Sequence, residues 1–320
     1  MSSTSSQGNI RATISQPDYM LACPADVKEL HHHQERYKLF QNPWPSFVDP
    51  GGAEVAFKIL QRKLTGTAKN PDVTPPTIED IPIVDAVVIS HNHYDHMSYT
   101  SLKKLAAKHS EVQFFVPLNI KKWFDDNGFS NITELDWWQS TEATFTPPNE
   151  KPFSATISCL PAQHGSARTA WDRSRMLWAG WSIESGDKTL YFAGDTGYRT
   201  VPELPPSEDD YGEAYSNLPV CPAFKQIGEL RGPFDLGIIP IGAYEPRFLY
   251  SSLHSNPYDS VNIFVDTKCK NALAMHWGAW VLTEEDVMEP ARKLRDALRW
   301  KGLPEEGTFD VCDIGESREY

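Results

Sequence analysis

Residues 81–96 read IPIVDAVVISHNHYDH. The first ten, Ile81–Ser90, form an apolar run rich in β-branched side chains, the pattern of a buried strand. The strand delivers the chain to His91, Asn92, His93, Tyr94, Asp95 and His96, which place four metal-ligand side chains within six residues. His91 and His93 alternate on an extended turn, so both imidazoles can face one ion. Asp95 and His96 follow the bend and can reach a second. Imidazole and carboxylate together suit zinc, with iron or manganese as substitutes. A core histidine is usually satisfied structurally, but four ligand-type residues directly after a buried strand do not fit that explanation.

Downstream of this stretch, helix and strand patterns alternate. Helices are expected at Ser98–Lys108, Lys121–Asp126 and Pro257–Asp266. Another is expected from a capping box at Thr283 and Asp286 to Trp300. Strands are expected at Val112–Val116, Ser154–Leu160, Leu177–Ile183, Thr189–Ala193, Phe234–Ile241 and Ala272–Met275, the third and fourth paired about Gly186. This is an α/β pattern. His91, His164, Asp195, Gly242 and His276 each follow the C-terminal end of an expected strand, where loops can bring polar groups together on rigid support. Glycines at 194 and 197 favour a tight loop around Asp195.

Residues 1–77 read as a weakly structured, partly disordered, proline-rich segment with one helical stretch at Glu54–Lys63; residues 78–320 read as the catalytic domain. The run His31–His33 reads as solvated surface, the usual fate of such tracts. The five cysteines, Cys23, Cys159, Cys221, Cys269 and Cys312, are odd in number and widely spaced, which points to reduced thiols. A net charge of −13 and a pI near 5.2 argue against nucleic-acid binding, which needs Lys and Arg to neutralise phosphates. The N-terminal residues lack the apolar core of a signal peptide, and no apolar run reaches the roughly 18 residues of a membrane span. The expected location is intracellular, either cytoplasmic or peripherally attached to an internal membrane such as the mitochondrial one.

The pattern His-x-His-x-Asp-His, then His164, then Gly-Asp-Thr-Gly at 194–197, then His276 resembles the metallo-β-lactamase superfamily. More narrowly, several runs resemble the family of N-acylphosphatidylethanolamine-hydrolysing phospholipases D. They are Asn-Pro-Trp-Pro (42–45), Glu-Leu-Asp-Trp-Trp (134–138), Phe-Ala-Gly-Asp-Thr-Gly-Tyr (192–198), Gly-Pro-Phe-Asp-Leu (232–236), Pro-Ile-Gly-Ala-Tyr-Glu-Pro-Arg (240–247) and Gly-Glu-Ser-Arg (315–318). The resemblance implies an αββα sandwich and two zinc ions per chain. His91, His93 and His164 would hold one, Asp95, His96 and His276 the other, and Asp195 would bridge them. A water activated between the ions is the implied nucleophile. Asp95, Asp195 and His254 carry the implied catalytic roles, His254 beside the headgroup. The implied reaction releases an N-acylethanolamine and phosphatidic acid from a phospholipid at a membrane surface, and a homodimer is implied as well. Trp277 and Trp280, flanking His276, are candidates to line the lipid pocket.

The chain departs from that family at two places. A Trp-Leu-Gly-His-Ala segment and an Asp-Pro pair that precede the metal motif in the family are missing, and family sequence resumes at Ile78. The fold is therefore expected to be incomplete in its N-terminal half, with an exposed sheet edge. A stretch rich in proline and acid at 199–220 reads as a surface loop or lid. Two other readings stay open: a soluble hydrolase of the same fold, acting on a lactone or small phosphodiester, and an inactive shortened form.

Overall fold

The structure, a computed structural model, describes residues 11–34, 38–50, 69–74, 76–147, 150–169, 171–205 and 207–320. The helix expected at Glu54–Lys63 lies outside the described residues. In chain order the first half holds β1 (Arg11–Ile14), β2 (His33–Gln34), β3 (Leu39–Phe40), β4 (Ala86–Val88), α1 (Tyr99–Lys108), β5 (Gln113–Pro117), α2 (Lys121–Asp126), β6 (Ile132–Leu135), β7 (Ser140–Thr146) and β8 (Phe153–Leu160). The second half holds β9 (Gly180–Ser185), β10 (Lys188–Phe192), α3 (Ala223–Leu230), β11 (Phe234–Pro240), α4 (Arg247–Tyr250), α5 (Pro257–Asp266), β12 (Cys269–Met275), α6 (Glu289–Lys301) and β13 (Phe309–Asp310).

Two sheets carry the fold: an eight-stranded one in the order β1-β7-β8-β9-β10-β11-β12-β13, and a three-stranded parallel one in the order β4-β5-β6. Side-chain alternation along β5 shows how they are layered. Phe115 joins the core between the sheets with Ile157, Trp181 and Tyr191. Its neighbours Phe114 and Val116 face the other way and pack with Leu102 and Leu105 of α1 and Phe124 of α2. On the far side of the large sheet, Phe224 of α3, Val261 and Phe264 of α5 and Leu294 and Leu298 of α6 pack as a second apolar layer continuous with that core. The result is helix, sheet, sheet, helix: the expected αββα arrangement. Local chemistry sets the helix starts. The Ser98 hydroxyl accepts from Ser101 N at 3.3 Å ahead of α1, and the Asn256 side chain accepts from Asp259 N at 2.9 Å ahead of α5, with Pro257 at its first position. Among the described residues, no helix is long and apolar enough to cross a membrane.

Several expectations need correction. The strand expected over Ile81–Ser90 shrinks to Ala86–Val88, because β4 has one neighbour, β5, among the described residues. Before it, Pro82 has no N–H to pair, Ile83 is 52% exposed, and Lys108 Nζ takes up the carbonyl of Glu79 at 2.7 Å. The last helix starts at Glu289, not Thr283. The Thr283 hydroxyl bonds Glu285, whose carboxylate accepts the backbone N–H groups of Ala243, Tyr244 and Glu245 at 2.6, 3.3 and 3.1 Å. Residues 283–285 are thus committed to capping the loop after β11. Part of the segment read as weakly structured is built in: β1 pairs antiparallel with β7, from Arg11 opposite Thr146 to Ile14 opposite Ala143. His32 is buried and His33 half-buried, each bonded to Asp136, so only His31 of that run is solvated. The 199–220 stretch is anchored and not merely draped on the surface. The Arg199 and Arg247 guanidiniums interleave with Asp210 and the fully buried Asp259, and Tyr211 Oη donates to Asp259.

Candidate metal centre

The motif begins where the two sheets are tied together. Trp181 of β9 donates its indole N–H to Ile89 O at 3.0 Å, and Ala179 N donates to Ser90 O at 2.8 Å. The carbonyl of His93 then accepts from His96 N and Met97 N at 3.2 and 2.8 Å, closing the turn that brings Asp95 and His96 back toward His91. Arg168 braces this turn. Its Nη1 donates to Asn92 O and Met97 O, both at 2.9 Å, and its guanidinium lies 4.1 Å over the Tyr94 ring.

The remaining residues arrive from three other strand ends. His164 follows β8; its Nδ1 donates to Leu253 O at 2.8 Å, which leaves the Nε2 lone pair free to face the centre. Asn42 holds the backbone of His164 from both sides: its Nδ2 donates to His164 O at 2.7 Å and its Oδ1 accepts from His164 N at 3.2 Å. Asp195 follows β10 between two glycines that the packing requires. Gly194 has φ 63°, and a Cβ there would lie 2.7 Å from Ser90 Cβ. A Cβ on Gly197 would come within 2.4 Å of the Ser252 carbonyl. His276 follows β12 with φ 62°, an uncommon conformation for a residue with a side chain.

These loops meet around one oxygen. Asp195 Oδ2 is 3.0 Å from His96 Nε2, 3.4 Å from His276 Nε2 and 4.0 Å from the Nε2 atoms of both His91 and His164. His93 Nδ1 is 2.8 Å from His91 Nε2 and 3.4 Å from His164 Nε2. Asp95 Oδ2 is 3.3 Å from His96 Nε2. Two trios that could each hold an ion result, His91–His93–His164 and Asp95–His96–His276, with Asp195 between them. His254 joins the cluster, stacked on His276 at 5.5 Å and edge-on to His164 at 5.1 Å. All eight residues selected from the sequence therefore converge.

The electrostatics suit a cation. Burial, reinforced by neighbouring imidazoles, pulls His91 and His164 well below the ordinary histidine range, so both are neutral, as metal ligation requires. Burial acts the same way on His96, but Asp195 and Asp95 outweigh it and hold that imidazole up at about 10. A proton on His96 thus balances carboxylates that a metal would otherwise neutralise. Nδ1 of His254 and Oδ1 of Asp195 are buried and make no hydrogen bond among the described residues, while Nε2 of His96 and Nε2 of His276 have only the carboxylate oxygens of Asp195 and Asp95 to face. Buried polar atoms without partners are costly, and together these form a nitrogen and oxygen set that fits divalent metal ions.

Above the cluster opens a cleft of about 450 Å³ with Asp95, His96 and His276 on its floor and Trp277, Trp280 and Leu282 on its wall. Trp277 and Trp280 lie where the sequence put them. Trp137, Trp138, Trp178 and Trp181 are core instead, and Trp171 is 86% exposed. Sequence reasoning passed over Arg168 and Asn42. The first carried no motif, while the second lies in the Asn-Pro-Trp-Pro run and could have been singled out there.

The chain belongs to the β-lactamase superfamily: the family described as "Beta-lactamase superfamily domain" matches residues 41–277. Within it, the chain is similar to the N-acyl-phosphatidylethanolamine-hydrolyzing phospholipase D 1 of Caenorhabditis elegans, 36% identical over 248 residues that cover 76% of this chain and 62% of the relative. It is also similar to the mitochondrial N-acyl-phosphatidylethanolamine-hydrolyzing phospholipase D of Saccharomyces cerevisiae, 31% identical over 247 residues that cover 75% of this chain and 47% of the relative. The chain thus spans less than two thirds of the length of these curated relatives. Among solved structures, an isothiocyanate hydrolase from Delia radicum gut bacteria aligns with a TM-score of 0.48 and 20% identity, covering 78% of this chain and 82% of that one.

Proposed function

We propose that this chain is a zinc-dependent phosphodiesterase of the phospholipase D type, hydrolysing N-acylphosphatidylethanolamine to an N-acylethanolamine and phosphatidic acid. The observation that carries the reading is the make-up of the cleft: a floor of His and Asp ligands beneath an aromatic and aliphatic wall. A phosphodiester needs the first and a long acyl chain the second. The similarity to the two phospholipases D supports the same substrate class.

In this reading His91, His93 and His164 would hold one zinc, Asp95, His96 and His276 would hold the other, and Asp195 would serve both. When bound, the pair would polarise the phosphoryl oxygens and lower the pKa of a nucleophilic water. The chain's own residues do the rest. Leu253 O fixes the ligating tautomer of His164. His254, whose Nδ1 is buried without a partner, faces the headgroup side as a hydrogen-bonding group. Trp277, Trp280 and Leu282 seat acyl chain and exclude water. The protein works at the surface of an internal membrane, through apolar contact and not charge, since it is strongly acidic.

The test is zinc content and hydrolysis of N-acylphosphatidylethanolamine by the purified chain, beside a His93→Ala control. Two more zincs per chain than the control, and release of an N-acylethanolamine that the control lacks, are expected. Turnover confined to lactones or small phosphodiesters would replace the lipid substrate with a soluble one. Negligible zinc and no turnover would mark an inactive shortened form, a reading favoured by β4 having one neighbour among the described residues.

A further inference from the structure

His32 and His33 are sequence neighbours, and neighbouring side chains on extended chain ordinarily face opposite ways. Here both converge on one carboxylate. His32 Nε2 is 2.6 Å from Asp136 Oδ1, and His33 Nε2 is 2.8 Å from Asp136 Oδ2. The rings meet edge to face with centroids 4.5 Å apart, and His32 stacks on Trp137 at 4.3 Å. Three ligand atoms lie within 4.8 Å of one another, as in the trios of the candidate catalytic centre. The loop that offers the carboxylate is held in place: Trp137 N donates to Asp136 Oδ1 at 2.8 Å, and Asp136 N donates to Gln139 Oε1 at 2.9 Å.

The carboxylate of this trio has no permanently charged partner among the described residues. Asp136 and His32 are each only 5% exposed. Burial pulls His32 toward its neutral form. Burial would also raise the Asp136 carboxyl, but its bonds to His32 and His33 outweigh that and keep it ionised, down to about 2. Among the described residues, its ion-pair partners are those two imidazoles and no Lys or Arg. A buried carboxylate with no Lys or Arg beside it among the described residues leaves a place for a cation as its counter-charge.

We propose that His32, His33 and Asp136 form a structural site for a zinc-class divalent ion, separate from the catalytic centre. Two imidazole nitrogens and a carboxylate oxygen are a zinc donor set, and the 25% exposure of the His33 side chain leaves room for water as fourth ligand. Ligands of one tetrahedral zinc stand about 3.3 Å apart at bond lengths near 2.0–2.1 Å, so the two nitrogen–oxygen pairs, now 2.6 and 2.8 Å, would each open by less than about 1 Å to admit it. The ion staples the segment around β2 and β3 to the loop between β6 and β7. That segment leads directly to Asn42, which holds the backbone of His164, so the staple also steadies one wall of the catalytic centre.

The full chain, stripped with a chelator, reloaded with zinc and dialysed, is assayed for bound zinc beside Asp136→Asn, His33→Gln and a His31→Ala control. Both site variants are expected to carry one equivalent fewer than wild type, with His31→Ala unchanged. Cobalt loading should show the matching loss of one tetrahedral component in the visible spectrum. The difference is read whatever the catalytic centre holds, so it stands apart from the proposed activity. Equal zinc in wild type and both variants would overturn the proposal and leave the trio as a hydrogen-bonded clamp. If Asp136→Asn fails to fold by circular dichroism, His33→Gln, at the half-buried position, decides alone.

Discussion

Asp195 Oδ2 stands 3.0 Å from His96 Nε2, joining the loop after β10 to the loop after β4 across the junction of the two sheets. The same oxygen faces His276, His91 and His164. Asp195→Asn is therefore expected to disrupt both trios together. Metal content should fall for both, and activity by more than the ~10–100-fold typical of an outer-shell partner. Elemental analysis with single-turnover kinetics checks this. Loss of metal from one trio alone would show that the carboxylate is not shared.

Among the described residues the Asn42 side chain hydrogen-bonds the backbone of His164 and no candidate ligand side chain. Asn42→Ala should weaken metal affinity about 10–100-fold while leaving the fold intact, measured by competition with a chelator. Unchanged affinity would mean that His164 is positioned without it.

Gly194→Ala combines two penalties. An L-residue at φ 63° costs roughly 1–2 kcal/mol, and the new Cβ would sit 2.7 Å from Ser90 Cβ and 2.8 Å from Ala179 O, adding about 1–3 kcal/mol of overpacking. Urea unfolding should show a loss in that combined range, with metal affinity falling as the Asp195 loop is displaced. A shift below about 0.5 kcal/mol would contradict the close approach.

Asp266 supplies a pH-dependent prediction away from the metal centre. Burial raises its carboxyl above the ordinary value, against the bond it accepts from Tyr198 Oη at 2.8 Å. A carboxyl raised by folding contributes full stability below its unfolded pKa of about 3.9 and loses it as pH rises through the folded value. Asp266→Asn keeps an acceptor for Tyr198 and removes the titration. Its melting temperature relative to wild type should increase as pH climbs from below 4 toward 7. A constant difference across that window would show that burial does not bear on this group.

The legible parts were those set by local pattern. α2 and α5 lie at the residues expected, because 3.6-residue periodicity, an Asn cap and a first-position proline are all local signals. β1, β6 and β7 were missed. β1 is a short strand held by pairing with β7, and the alternation of β7 in a polar sequence gave little contrast. The Thr283 capping box was misread because its partner residues serve a distant loop. His31–His33 was misread because solvation of a polar run is only the average outcome; here Asp136, far along the chain, buries two of the three.

By itself the sequence determined the identity and short-range spacing of the candidate ligands at 91–96, the strands that deliver His164, Asp195 and His276, and the α/β pattern, the αββα class coming only as what the resemblance implies. Each rests on interactions within a few residues or on burial periodicity along one element. Only the tertiary structure decided that a single oxygen of Asp195 faces four imidazoles, that Arg168 braces the metal loop, that Arg199 and Arg247 anchor the 199–220 stretch, and that His32 and His33 share Asp136. Those pairings depend on sheet register and on the packing of one layer against another. Both are global properties, fixed when the apolar faces of the two sheets close on each other and carry remote loops to a common edge.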